Sequence, residues 1–528
     1  MFSRRLTVVQ SPARRYLSMD QKNNSSSVFS GNVSRRGFLH GAACTAALFS
    51  IVPRHVLGGN GYVPPSDKLR LACIGVGAQG TRVMTDFLKE PDVQVVAVCD
   101  VNQVSSDYSE WDTNELRNRV REVLGDPNWG SQFKGPTAGR EPAKNIVEAY
   151  YAKHQTSGQY RGCAAYNDFR ELLSKGRDFD GVVVCTPDHW HAPISIAAMR
   201  GGKHVYCQKP MTHTIDETRQ MAEVARQNKV VTQVALSVSA SEDTRLLSEW
   251  ISAGVIGPVR RLENWSTRPF WPQGLNRPEK VDPVPPGLDW NLWQGPAPER
   301  PFNHAYLPFV WRGWYDFGTG AIGDMGQYSF DTLFRVLKLA PPTSVDATST
   351  QRFKETFPAA SIIRFEFAAR GNMPPVTLTW YDGDLKPQRP PEFEDGRKLG
   401  DAEDGEGLLF IGDHGTILAG FEGGNPRLIP ESKMKAFQPP PKTLPRSIGH
   451  YREFIEACKG GSVIPAANFE FESRVTEAVL LGNISLRSGE MVRWDSGNMK
   501  ITNAPAAQPL VFSDYRPEWK AFSASSVR

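Results

Sequence analysis

Residues 69–80 read LRLACIGVGAQG, and the fold turns on them. An apolar run, residues 71–74, breaks into Gly75, Val76, Gly77, Ala78, Gln79 and Gly80. The three glycines fit G-x-G-x-x-G. In such a turn the first glycine allows a tight strand-to-helix reversal. The second lets backbone approach a pyrophosphate, and the third lets the new helix pack close to the strand. A phosphate would then sit at the helix N-terminus, where free N–H groups and the helix dipole favour negative charge. Residues 81–89 read as the helix. Residues 93–99, VQVVAVC, read as a second buried strand ending at Asp100. A carboxylate there accepts from a ribose 2′-hydroxyl and repels the extra phosphate of NADP, so NAD is expected, with NADP disfavoured. An ordinary β-α-β unit without a nucleotide shares the turn. The order strand, turn, helix, strand, acid favours the nucleotide.

The chain has 528 residues, 40% of them apolar, and a net charge of +4 with the signs interspersed. That is enough apolar material for a sizeable core, and it shows no basic block of the kind that binds nucleic acid. The seven cysteines include no C-x-x-C pair, and Cys73, Cys99, Cys185 and Cys207 fall in or beside expected strands. They read as small buried hydrophobes.

Residues 1–64 are set apart from the fold, as signal and disordered N-terminus. Ser34-Arg35-Arg36-Gly37-Phe38-Leu39 precedes a short, interrupted apolar run. Twin arginines before such a run resemble a Tat export signal, so a periplasmic protein is expected. The alternatives are a cytoplasmic protein or one anchored by an uncleaved signal. The run is too short to span a membrane as a mature helix. Residues 65–238 alternate strands with helices, the signature of a doubly wound α/β domain. A polar insertion, about 103–160, interrupts them, and its end, residues 143–154, reads as a crossover helix. Residues 239–528 change grammar. Strand runs at 259–265, 361–367, 376–381, 408–412 and 416–419 lack regular helices between them. Helices are expected at 243–253, 324–339, 446–458 and 471–487. This reads as an α+β domain with a largely antiparallel open sheet and helices on one face.

The series I-G-V-G-A-Q-G, C-D-V-N, C-T-P-D-H-W-H-A and G-G-K-H-V-Y-C-Q-K-P resembles the Gfo/Idh/MocA oxidoreductases, in particular their Tat-exported bacterial branch. The resemblance runs on through W-R-G-W-Y-D-F-G-T-G-A-I-G-D-M-G-Q-Y-S-F-D to the terminal Y-R-P-E-W-K. It implies a nicotinamide-binding Rossmann domain joined to a mixed domain used for substrate and oligomer contacts, in a dimer or tetramer. It implies hydride transfer on sugars, glycosides or cyclitols. It leaves open a redox-neutral glycoside hydrolase or lyase with retained NAD, and a catalytically silent sugar-binding relative.

The family's E-K-P appears as Gln208-Lys209-Pro210, which carries Lys209 over as catalytic. With glutamine in place of glutamate, the lysine is expected to titrate lower. The family's Asp-x-x-x-His appears as Asp324 and Tyr328, as in relatives resembling glucose–fructose oxidoreductase. Four residues apart, they share a helix face. Tyr328 is expected to exchange the hydroxyl proton, with Lys209 holding its phenol pKa down. Asp324 orients the partners or caps the helix. Gly326 within that helix implies close packing. Cofactor contacts are expected from Gly75, Gly77, Ala78, Gln79, Gly80, Asp100, Thr186, Pro187, His189, His191, Lys209 and Pro210. Substrate contacts are expected from Lys209, Asp324, Tyr328, Trp311, Trp314 and Tyr315, whose rings suit a sugar face. His189-x-His191 lacks further ligand-type neighbours, so no metal is expected.

Overall fold

Six strands form the first sheet: β1 (Leu69–Ile74), β2 (Val93–Cys99), β3 (Ala164–Tyr166), β4 (Gly181–Val184), β5 (His204–Cys207) and β6 (Thr232–Val234). They are all parallel and lie in the order 3-2-1-4-5-6. The structure is a computed structural model that describes residues 64–522 except 154, 156, 177, 397–398 and 400–404. The expected export signal lies outside the described residues.

β4 is buried along its whole length, as befits a strand covered on both faces. The connections are α1 (Ala78–Lys89), α2 (Glu115–Leu124), α3 (Arg140–Ala152), α4 (Phe169–Lys175), α5 (His191–Arg200) and α6 (Ile215–Asn228). α1 buries Val83, Met84, Phe87 and Leu88 on one face. α6 starts in a capping box, with Thr214 and Glu217 satisfying each other's backbone N–H groups. The insertion contains α2 as well as the crossover helix. α2 escapes a polarity reading because Leu116, Val120, Val123 and Leu124 are spaced at helical intervals among charged residues. The direction of winding switches between β1 and β4, and the crevice outside their C-terminal ends is where such sheets bind ligands.

The second sheet has nine strands: β7 (Val259–Trp265), β8 (Ser344–Ser349), β9 (Ser361–Phe367), β10 (Val376–Tyr381), β11 (Gly407–Gly412), β12 (Thr416–Ala419), β13 (Arg427–Ile429), β14 (Val492–Asp495) and β15 (Lys500–Ile501). Their order is 13-12-11-7-10-9-8-14-15, with only the β7–β10 pair parallel. β9 and β10 alternate, burying Ile363, Phe365, Leu378 and Trp380. Against that face pack α7 (Glu242–Ser252), α8 (Gln327–Leu337) and the twenty-residue α10 (Phe469–Ser488), through Leu247, Phe330 and Val479. Truncating a side chain as buried as Phe365 costs about 3–5 kcal/mol.

Two later segments return to the first sheet. α9 (His450–Cys458) places Phe454 and Ile455 against β1 and α1 residues. Near the C-terminus, Trp519 packs edge-on against Trp190 at 4.9 Å, and the Tyr515 hydroxyl donates to Glu217. The first core is therefore completed by residues hundreds of positions away. The helix expected at 324–339 runs from Gln327 to Leu337 as α8, and its expected first turn belongs instead to a wide π turn, Ile322–Gly326, which carries Asp324. Such turns gather at functional sites. Val479 of α10 lies 3.6 Å from where a Gly326 Cβ would stand.

Candidate active site

A cavity of about 630 Å³ opens at the switch point, between the ends of β1, β2 and β4 and the π turn of the second domain. At one end lies the glycine turn. Gly75 has φ +79°, and a Cβ there would stand 2.7 Å from the Cys185 carbonyl carbon and the Thr186 nitrogen. A Cβ on Gly80 would stand 1.8 Å from the Gly75 oxygen. Neither position admits a side chain. Gly77 is the N-cap of α1 and brings no capping side chain, so the first N–H groups of that helix have no side-chain acceptor. Gly75, Gly77, Ala78, Gln79, Gly80 and Asp100 all line the cavity. An uncapped helix start beside an acidic strand end fits a dinucleotide.

Asp100 accepts from the Asn102 N–H at 2.8 Å. Burial pushes its carboxyl up to about 6, opposed by the Asn102 and Val76 N–H groups and by Arg140. Arg140 donates from Nη1 to the Asp100 carbonyl at 3.1 Å and to Asn167 Oδ1 at 3.1 Å. These bonds commit it to protein acceptors. Tyr108, from the insertion, stands over Gly77, its ring 2.9 Å from where a Cβ would be.

At the other end, Lys209 Nζ donates to the Asp324 backbone oxygen at 2.7 Å and to Oδ1 at 3.0 Å. Arg312 Nε donates to the same Oδ1 at 3.0 Å. Burial disfavours the Asp324 carboxylate, but Lys209 and Arg312 outweigh it and hold the group down to about 2. The lowering expected from glutamine at 208 does not set the net direction. Burial does press the Lys209 pKa down, but Asp324 and Tyr328 press it up by more, and the net direction is upward. The charge missing at 208 is supplied from the other domain.

Tyr328 is corrected in the same respect. Lys209 Nζ lies over its ring, 4.5 Å from the centroid. Burial raises the phenol above its ordinary value, and Lys209 only partly opposes that. The group is a neutral phenol at physiological pH.

Thr186, Pro187 and Trp311 line the cavity; His189, His191, Pro210, Trp314 and Tyr315 do not. The ring nitrogens of His191 face the Pro210 carbonyl at 2.7 Å and the Thr186 carbonyl at 2.9 Å. Those of His189 face the Phe317 and Trp293 carbonyls at 3.2 and 3.1 Å. Burial pushes the two imidazoles down to about 4 and about 3. Both rings are held between backbone carbonyls and brace the loops behind the cavity. Trp314 is buried, its indole N–H donating to the Ala305 carbonyl. Tyr315 packs edge-on against Phe357 beside a separate small cavity. Among the described residues no group of three or more His, Cys, Asp or Glu gathers as a metal site would.

Three further wall residues had no assigned role in the sequence. Arg312 and Asp188 lie inside quoted motifs, W-R-G and T-P-D, but nothing in their spacing points to the cavity. Tyr108 lies in the polar insertion.

A glycine cradle on a parallel α/β sheet, with a lysine at a neighbouring strand end and an acid supplied by an open mixed sheet, defines a two-domain dinucleotide-binding oxidoreductase architecture. Comparison with known proteins agrees. Residues 138–236 match the model of the Gfo/Idh/MocA oxidoreductase family's NAD-binding Rossmann fold, and residues 259–372 match that of its C-terminal α/β domain. Over these two stretches the chain carries both domains of the Gfo/Idh/MocA oxidoreductase family. A glycosyl hydrolase family 109 protein of Shewanella baltica is 26% identical over 243 residues, 43% of this chain and 44% of that protein. A levoglucosan dehydrogenase of Pseudarthrobacter phenanthrenivorans is 32% identical over 111 residues, 20% of this chain and 28% of that protein. The chain thus spans less than half the length of the curated relatives it matches. Among solved structures, the WlbA dehydrogenase of Bordetella pertussis, in complex with NADH and UDP-GlcNAcA, aligns with a TM-score of 0.51 at 14% identity. That alignment covers 81% of this chain and 99% of the other, and the likeness is one of fold.

Proposed function

We propose that the protein is an NAD-dependent oxidoreductase acting on a CH–OH group of a sugar, glycoside or cyclitol. The observation that carries this reading is one cavity with a dinucleotide cradle at one end and a buried lysine–carboxylate pair at the other. When bound, NAD supplies the hydride acceptor or donor. The glycine turn and the start of α1 hold its phosphates, and Asp100 holds its ribose and disfavours NADP. Lys209, fixed by Asp324, directs its ammonium at the substrate hydroxyl and stabilises negative charge growing on that oxygen. Asp324 also fixes Arg312. Tyr328, a neutral phenol, donates a hydrogen bond. Trp311 offers a ring face.

A second reading is redox-neutral glycoside cleavage with retained NAD, favoured by relatives that carry the name glycosyl hydrolase. Export through the Tat route to the periplasm and assembly as a homo-oligomer belong to the same proposal. The described residues contain no helix long and apolar enough to cross a membrane. To test the reading, cofactor is released from the purified protein by denaturation and identified, and sugars and glycosides are screened for absorbance at the reduced-nicotinamide band. Sugar-dependent reduction of NAD supports the dehydrogenase. Glycoside cleavage with no net NADH selects the second reading. Neither activity, with no nucleotide bound, refutes both.

A further inference from the structure

Three carboxylates line the lysine end of the cavity, Asp324, Asp188 and Glu422, and the surroundings of the first two differ. Asp324 is clamped by two cations. Asp188, three residues beyond Cys185, also lines the cavity and makes no ion pair among the described residues. Its Oδ2 accepts one hydrogen bond, from Thr319 Oγ1 at 2.7 Å. Thr319 is itself held from the second domain. Its carbonyl accepts from Asn483 Nδ2 of α10 at 2.7 Å. A Cβ on Gly323 would stand 2.1 Å from the Thr319 side chain, so the glycine leaves that hydroxyl its place. Asn483, Thr319 and Asp188 therefore form a chain that fixes one carboxyl of the cavity wall, and that carboxyl is in no ion pair among the described residues.

Apart from one carboxylate, Glu422, the other groups near this end are unsuited to taking a proton. Lys209 is a cation, and Asp324 is spoken for by two donors. Tyr328 is a neutral phenol. The nitrogens of His191 face carbonyls, and His213 faces the Gly318 carbonyl. Glu422 lines the cavity from the second domain and is the competing carboxylate.

We propose that Asp188 is the catalytic residue that takes the proton from the substrate hydroxyl. The inference rests on the CH–OH oxidoreductase reading. In oxidation the O–H bond breaks and its proton passes to the carboxylate. The C–H bond breaks and its hydride passes to the nicotinamide, the oxidant named above. The carbon–oxygen bond becomes a carbonyl. The reverse reaction returns the proton from the carboxylic acid. The environment suits both directions. Burial pushes the Asp188 carboxyl up to about 7, opposed by the Thr319 hydroxyl and by Arg312, with Asp324 adding to the rise and Lys209 opposing it. A carboxyl poised there changes protonation state near working pH, where general acid–base catalysis is most effective.

The test compares wild type with Asp188→Asn, Thr319→Val and Glu422→Gln, using a sugar that the wild type oxidises. Wild-type kcat for oxidation should rise about tenfold per pH unit below a limb near 7 and then level. Asp188→Asn should lose the limb and at least about 10²-fold in kcat, with NAD affinity by fluorescence titration nearly unchanged. Thr319→Val removes the donor that favours the carboxylate and should move the limb to higher pH. Infrared titration of the cofactor-bound protein should show a carboxyl band near neutrality that is absent in Asp188→Asn. If Asp188→Asn keeps the limb, or Glu422→Gln loses it while Asp188→Asn keeps it, the proton goes elsewhere and the inference is overturned. If Asp188→Asn instead weakens NAD and leaves saturated kcat alone, Asp188 is a cofactor clamp and the inference fails. A wild type that oxidises no alcohol brings down the function reading and this inference together.

Discussion

Asp324→Asn isolates what one charge does between two domains. The amide keeps an oxygen that can accept from Lys209 Nζ and Arg312 Nε, both 3.0 Å from Oδ1 in the native protein. It removes the negative charge between two cations whose side chains are only 10% and 15% exposed. A carboxyl that titrates near 2 instead of 3.8 has its charged form stabilised by about 2–3 kcal/mol. Asp324→Asn should lower unfolding free energy by about that much at pH 7, and by up to about 5 kcal/mol if the two cations relax poorly. The folded-state pKa is depressed, so this contribution is fully present above about pH 4 and fades as pH falls toward 2. Urea unfolding from pH 8 to 5 should show a constant gap between variant and wild type. The Lys209 ammonium should also titrate lower in the variant, because burial then acts with its main opponent gone. Reductive methylation with labelled formaldehyde makes that shift visible by NMR. A variant as stable as wild type, or a Lys209 resonance that titrates unchanged, refutes this account of the pair.

Three other perturbations test the remaining parts. Gly80→Ala puts a methyl 1.8 Å from the Gly75 oxygen, so it should abolish NAD binding in a titration, and wild-type affinity would show that the turn does not cradle the cofactor. Asp100→Ser combined with Val101→Arg should shift preference toward NADP by an order of magnitude or more, and equal NADP binding by the unaltered protein would contradict the role given to Asp100. Replacing Arg35 and Arg36 by lysine should hold the protein in the cytoplasm of a Tat-competent host, and unchanged fractionation would refute the export proposal.

The glycine turn was legible because the turn itself demands glycine, at Gly75 through a φ of +79° and at Gly80 through its approach to the Gly75 oxygen. That requirement shows in residue type and spacing alone, although the backbone that crowds Gly75 lies beyond β4. The strand runs at 361–367 and 376–381 were legible too, because strand propensity is carried by the residues themselves. The lysine end was not. Lys209 could be picked out through the family resemblance, but the sign of its environment could not, because the carboxylate beside it lies 115 residues later on a turn wider than an α-helix. Arg312 and Asp188 were invisible for a related reason: their significance lies in which of two carboxylates has counter-ions, a fact of tertiary placement. His189 and His191 drew notice as chemistry and turned out to be carpentry, since their ring nitrogens face backbone carbonyls.

The division of labour follows from these placements. The first domain contributes the backbone cradle and the lysine, and both are set by strand ends. The second contributes Asp324, Arg312 and, through Asn483 and Thr319, a hydrogen bond that holds Asp188. Lys209 and Asp188 of the first domain are therefore each tuned by a partner from the second. A displacement at the junction would lift Lys209 from Asp324 and Thr319 from Asp188 together. Lys209 would lose the partner that keeps it charged, and Asp188 would lose the donor that favours its carboxylate. The chemistry is tied in this way to closure of the two domains around the cavity, although the cradle itself belongs to one of them.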